Sequence, residues 1–327
     1  MRGASAVLAM LLLGACAATP PAPPVPPGQP LFVAADGARL PMRVYPAAGR
    51  PRAVVVAVHG FNDYSGFFDE TAAYFARAGI STLAYDQRGF GAAPGRGRWP
   101  GGAALVDDFL AFAREARKLH PALPLYVLGE SMGGAVAAVA LAREPGLAVD
   151  GVVLVTPAIW SRDTMPWYQR LGIWLGSNLA PGATLSSADY DIPPTDNAEA
   201  REAFARDPLT IKGTRFDAMD GLIDLMGEAM RAVPQIRQRT LLVYGLQDVM
   251  IPRAPMIALF ERWPAAPAPN FRFALYPEGH HLLLRDLQRA VVWRDVVSWI
   301  EHPDAPLPSG CQRERAEVLR LLEAAPG

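Results

Sequence analysis

Short runs of continuous apolar residues alternate along this chain with longer stretches in which apolar positions recur at helical spacing. AVVVAVHG, from Ala53 to Gly60, is followed by STLAYD, LYVLGE, GVVLVT and TLLVYG in the same style. Runs without polar alternation mark strands covered on both faces. FRFALY from Phe271 alternates more and reads as a last strand, while LFVAAD and RLPMRVYPA near the start read as an antiparallel hairpin. Helical patterns fill the intervals over Phe67–Ala78, Gly102–Leu119, Met132–Arg143, Arg253–Trp263 and Leu287–Ile300. This alternation predicts an α/β fold, a mostly parallel central sheet with helices on both faces.

The rhythm breaks after Thr156-Pro157. From there to about Gln238 the chain is rich in Trp, Met, Pro and Asp and shows no clear buried strand. A bare loop of that length does not fit a compact domain, so a helical cap inserted over about 157–238 is expected. Trp160, Trp167 and Trp174 recur seven apart within it, which puts at least Trp167 and Trp174 on one helix face. Such a stripe usually packs, yet its aromatic character suits an acyl pocket or a lipid surface as well. The main domain is read as 31–302, with a tail over 303–327 that holds a charged helix, Gln312–Ala324.

Composition narrows the picture. A chain of 327 residues that is 51% hydrophobic can bury one large core. A formal net charge of -1 without a basic cluster argues against a nucleic-acid partner. At the N-terminus, Arg2 precedes an apolar run through Ala15, and seven prolines follow between Pro20 and Pro30. That run is shorter than the roughly 20 residues a spanning helix needs and has the form of an export signal. Leu13-Gly14-Ala15-Cys16 resembles the lipobox of bacterial lipoproteins, in which the cysteine becomes the lipidated first residue; a plain cleavage site is the alternative. The expectation is a signal peptide over 1–15, lipidation at Cys16 and a proline-rich tether over 16–30. The protein would then be a membrane-anchored lipoprotein of the bacterial cell envelope, on the periplasm-facing side of the outer membrane. Cys311, the only other cysteine, is left as a lone thiol.

Candidate chemistry centres on Gly129-Glu130-Ser131-Met132-Gly133. This G-x-S-x-G pattern follows a buried strand and opens a small-residue helix, the setting of a nucleophile elbow. A serine hydroxyl needs a base to take its proton, and that base needs a carboxylate to fix its tautomer. In α/β-hydrolases the acid and then the histidine follow the serine, each beyond a later strand. Asp248 in LLVYGLQDVMIP and the adjacent His280 and His281 in FALYPEGHHLLLRD occupy those places. Neighbours in a turn point in different directions, so only one histidine can meet Ser131 and Asp248 together. An oxyanion hole requires two N–H donors, expected from Met132, just after the serine, and from Phe61 in the turn His59-Gly60-Phe61-Asn62. His59 precedes the serine and is read as structural.

The pieces HGFNDYSGFF, YDQRGFG, GESMGG, ARDPL, GLQDVMIP and YPEGHHLLLRD resemble the monoacylglycerol lipase and lysophospholipase branch of the α/β-hydrolases, also described as the serine aminopeptidase-like hydrolase family. The likeness covers about Phe32 to Ile300. It implies an α/β-hydrolase fold, Ser131 as nucleophile with Asp248 and His281 as partners, a cap over the acyl site, and a reaction without metal or cofactor. Gln87 stands where the family often has histidine, AAPGRGRW after Gly91 loosens the usual turn, and the Asp86 and Arg88 turn is read as structural. The implied activity is hydrolysis of a lipid-like carboxylic ester, a monoacylglycerol or lysophospholipid, through an acyl-enzyme. Acyl transfer, thioester cleavage or amide cleavage would use the same triad. A non-catalytic lipid-binding envelope lipoprotein is the rival from another class, against which an intact triad argues.

Overall fold

The computed structural model describes residues 24–186, 193–263 and 270–324. Cys16, the expected signal segment and the first part of the expected tether lie outside them. In chain order, β1 (Leu31–Val33), β2 (Arg39–Tyr45) and β3 (Ala53–Val58) precede helix α1 (Asp69–Arg77) and β4 (Ile80–Tyr85). Helix α2 (Gly102–Leu119), β5 (Leu125–Glu130), α3 (Met132–Arg143) and β6 (Gly151–Val155) follow. The insertion then contributes α4 (Trp167–Leu179), β7 (Thr184–Ser186), α5 (Ala198–Arg206), β8 (Gly213–Arg215) and α6 (Phe216–Ala232). The chain re-enters the sheet with β9 (Arg239–Gly245), α7 (Arg253–Arg262) and β10 (Phe271–Tyr276), and closes with α8 (Arg289–Glu301), β11 (Gln312–Arg313) and α9 (Arg315–Ala324).

The main sheet runs β1-β2-β4-β3-β5-β6-β9-β10-β11, parallel from β4 to β10 and antiparallel at both margins. Every residue of β3, β4, β5 and β6 is buried, which explains why these strands are mostly apolar in sequence, Ser81, Thr82 and Glu130 being the polar exceptions. Alternate side chains serve two cores. Val54, Val56 and Val58 join Phe109 of α2 and Val136 of α3 on one face, while Val55 and Ala57 join Phe75 of α1 and Val296 of α8 on the other. Helix α2 fits because Leu105, Val106, Phe109, Phe112 and Ala116 recur at three- and four-residue spacing and are buried.

Two features depart from the pattern read in sequence. The insertion contains a short antiparallel hairpin, β7 with β8, whose residues are all half-buried and therefore give no alternation. The C-terminal helix begins at Arg315 rather than Gln312, because Gln312 and Arg313 pair with Ala274 and Phe273 as an edge strand. Val318 and Leu322 of α9 are buried in the core that α7 also joins.

One carboxyl group is held inside the sheet without compensation. Glu130, the last residue of β5, is 1% exposed, and its Oε1 has no hydrogen-bond partner among the described residues. Burial, with the nearby charges of Asp63 and Asp248, pushes its pKa up to about 8 against the attraction of His281 and Arg285. The folded protein therefore keeps a proton that the unfolded chain releases above about 4.5. Stability from this group is complete below that value, falls as pH rises toward 8, and levels off beyond. Each pH unit in the window is worth at most about 1.4 kcal/mol. Glu130→Gln keeps the shape and abolishes the titration. Urea midpoints at pH 5 and pH 8 should show the variant gaining on the wild type at the higher pH; an equal offset at both would mean that the folded protein carries Glu130 ionised.

Candidate active site

Ser131 sits between the end of β5 and the start of α3 with φ 49° and ψ -117°, a conformation that costs a non-glycine residue free energy. Glycines make it possible. A Cβ on Gly129 would lie 2.6 Å from the Gly133 carbonyl oxygen, one on Gly133 would strike the carbonyls at the end of β3, and one on Gly134 would press on Pro157 at 3.0 Å. The helix can close onto the strands only because those side chains are missing. Ser131 N–H donates to Val155 O at 3.0 Å and Ser131 O accepts from Ala158 N–H at 2.9 Å, so the turn after β6 grips the elbow from both sides.

His281 reaches this serine. Its Nε2 lies 2.9 Å from Ser131 Oγ, and its Nδ1 lies 2.8 Å from Asp248 Oδ2. An ionised carboxylate only accepts, so Nδ1 carries the proton and Nε2 is free to accept from the hydroxyl. Asp248 is held in turn, its Oδ1 accepting from the N–H groups of Met250 and Ile251 at 2.8 and 3.0 Å. Burial disfavours the charged imidazole, but the Asp248 carboxylate outweighs it and His281 ends above the usual histidine pKa. His280 faces elsewhere, 23% exposed at its side chain, with Nδ1 3.8 Å from Asp286 Oδ2. Of the two adjacent histidines, the structure brings His281 to Ser131 and Asp248.

The turn after β3 lies against Ser131, a Cβ on Gly60 falling 3.3 Å from its Cβ. His59 is buried beneath it. Its Nδ1–H donates to Gly60 O at 2.8 Å and its Nε2 accepts from Gln87 N–H at 2.9 Å, while the Gln87 amide donates to His59 O at 2.7 Å. Burial lowers the His59 pKa, in keeping with a neutral ring that both donates and accepts. Since the peptide unit is planar and trans, turning Gly60 O toward His59 turns the Phe61 N–H the opposite way. Met132 begins α3, so its N–H has no acceptor within the helix. Asp86 accepts from Ser65 and Ala92, and Arg88 bridges Asp36 and Asp108; neither touches the triad.

The insertion attaches beside this turn. Asn62, at φ 64°, donates through its side chain to Thr214 Oγ1 at 2.7 Å and accepts from Ile211 N–H at 2.9 Å. Arg96 adds bonds to the carbonyls of Pro208, Leu209 and Thr210. The three tryptophans separate. Trp160 packs half-buried against the core, whereas Trp167 and Trp174 stand 68% and 56% exposed on α4, a helix with no buried residue.

Glu130 and Thr156 are site neighbours that sequence reasoning missed. An acid at the end of an otherwise apolar strand was the available signal for the first; a Thr-Pro pair at a strand end carried none for the second. As for metals, Asp196, His280 and Asp286 bring three ligating atoms within 4.8 Å of one another. Both carboxylates there already accept from backbone N–H groups, of Leu287 and His280.

Comparison with known proteins agrees with this architecture. The chain is 30% identical over 272 residues to a monoacylglycerol lipase of Mycolicibacterium smegmatis, covering 82% of this chain and 95% of that one. It is 25% identical to the human monoglyceride lipase, covering 84% and 91%. The crystal structure of the Paleococcus ferrophilus monoacylglycerol lipase superposes with a TM-score of 0.65 at 22% identity, over 80% of this chain and 98% of that one. The family model described as serine aminopeptidase, S33 matches residues 49–288. With that match across most of its length and a parallel sheet that carries Ser131 at a strand-to-helix turn, the chain belongs to this hydrolase family and has the α/β-hydrolase fold.

Proposed function

We propose that this protein is a serine hydrolase that releases a fatty acid from a monoacylglycerol or lysophospholipid through an acyl-enzyme. It is a carboxylic ester hydrolase. The observation that carries the mechanism is the chain of two hydrogen bonds from Asp248 through His281 to Ser131; the monoglyceride lipase relatives support the substrate class. Ser131 Oγ attacks the ester carbonyl carbon as His281 Nε2 takes its proton. The oxyanion is met by the N–H groups of Phe61 and Met132. Collapse expels the glyceryl oxygen, which takes the proton from His281, and leaves the acyl group on Ser131. Water, deprotonated by His281, then attacks the acyl carbon and returns the free serine.

The exposed face of α4 supports a substrate held at a lipid surface. Trp167, Tyr168, Leu171, Trp174, Leu175 and Leu179 are exposed along one helix whose sequence contains no acidic residue. Amphipathic aromatics of this kind favour the membrane interface. Among the described residues no helix is long and apolar enough to cross a membrane, and the attachment fitting the sequence is a lipid on Cys16 at the bacterial envelope.

Ser131→Ala and His281→Ala should each lower kcat on a short-chain monoacylglycerol by several orders of magnitude, whereas His280→Ala keeps a substantial part of it. A fluorophosphonate should label the wild type and fail on Ser131→Ala; a dead His280→Ala beside a live His281→Ala would reverse the assignment. For the lipid face, the double variant Trp167→Ser, Trp174→Ser should co-sediment with phosphatidylcholine–phosphatidylglycerol vesicles several-fold less than the wild type while hydrolysing a soluble ester at an unchanged rate. Undiminished sedimentation would rule that face out. Cys16→Ser should release the mature protein from membranes, and an intact mass showing an unmodified Cys16 in the wild type would refute lipidation.

A further inference from the structure

We infer that Thr156 is a positioning residue, whose hydroxyl fastens the backbone of His281 to the same strand end that holds Ser131. The inference rests on Ser131 and His281 being nucleophile and base. Its Oγ1–H donates to His281 O at 2.7 Å, and the residue is fully buried.

The turn around it bonds to both halves of the site. Val155 O accepts from Ser131 N–H at 3.0 Å and Ala158 N–H donates to Ser131 O at 2.9 Å. Thr156 N–H donates to Val243 O of β9 at 2.8 Å, and Pro157 abuts Gly134 of α3. Four residues in a row, 155 to 158, thus tie the elbow, the neighbouring strand and the base together.

The backbone of Thr156 points the same way. Its φ is 40°. A β-branched residue at positive φ is a genuine outlier, and a residue before proline normally prefers extended backbone. Such conformations persist where surrounding contacts over-determine them, and they gather at functional sites. Here the over-determining contacts are those just named, and one of them is the bond to His281.

His281 needs that bond because it lies in a turn, outside the ladders of the sheet. Its ring is oriented by Asp248 and its following peptide by Leu282 N–H donating to Pro194 O at 2.9 Å, but its own carbonyl accepts from Thr156. Without the hydroxyl that carbonyl is left with no partner among the described residues, and the turn is released to move in search of one. Nε2 then drifts from Ser131 Oγ. A displacement of about 1 Å in such a pair can cost about a hundred-fold in rate, while the surface that binds the acyl chain is untouched.

Three variants of the full chain test this on a short-chain monoacylglycerol. Thr156→Val keeps the branched shape and removes the hydroxyl; kcat should fall about ten- to a hundred-fold, with KM little changed, the thermal midpoint lowered but the fold kept, and Ser131 labelling by a fluorophosphonate slowed in parallel with kcat. Thr156→Ser restores the hydroxyl and should recover most of kcat. If valine prevents folding, Thr156→Ala carries the same expectation. A hydroxyl-free variant that folds and keeps kcat near the wild-type value overturns the inference, as does a serine variant impaired as severely as the valine one. The wider reading fails separately: an active Ser131→Ala removes the nucleophile, whereas an inactive Ser131→Ala beside an active Thr156→Val removes only the role of Thr156.

Discussion

The site depends on how closely α3 approaches the ends of β3 and β5. Ser131 keeps its left-handed backbone because the helix behind it is pressed against carbonyl groups at distances no side chain would tolerate, and Gly129, Gly133 and Gly134 supply the missing volume. From that contact the rest follows in order. The elbow lifts the hydroxyl out of the sheet, the helix presents its first N–H groups beside it, and the turn after β3 lies close enough to contribute a donor. The cost in backbone strain is offset by a core in which most of α3 is fully buried.

Burial also decides which groups around the serine can carry charge. His59 is driven toward the neutral form, and Glu130 and Asp63 are driven toward the protonated one, desolvation being the leading cause in each case. His281 alone among these moves against desolvation, because Asp248 is bonded to it. Positive charge is therefore most readily accommodated on the imidazole next to Ser131, where proton transfer from the serine would create it. Gln87 fits the same logic: it supports the His59 ring and backbone through uncharged bonds.

Much of this was visible in the residues themselves. Strands buried on both faces are mostly apolar, so β3 to β6 were readable despite Ser81, Thr82 and Glu130, and a serine framed by glycines between a strand and a helix is hard to explain otherwise. Geometry that depends on distant partners was not readable. Sequence alone left His280 and His281 equivalent until a family likeness was invoked; in space Asp286 lies beside one and Asp248 beside the other. Thr156 is silent because its partner lies 125 residues further along the chain. The three-residue strands β7 and β8 bury neither face fully, so they leave no period to detect. Spacing placed Trp167 and Trp174 on one face but could not say whether that face was covered, since packing and exposure produce the same repeat.

The bonds from Asn62 to Ile211 and Thr214 carry a consequence for rebuilding this enzyme. Phe61 is the preceding residue, so the insertion and the proposed oxyanion donor form one mechanical piece rather than a lid resting on an independent base. A chimaera that exchanges the insertion for that of a relative, in search of a new acyl preference, therefore does not swap a detachable module. Unless the graft reproduces a backbone donor at 211 and a hydroxyl at 214, it also retunes the turn proposed to meet the oxyanion, and altered selectivity would arrive mixed with altered rate.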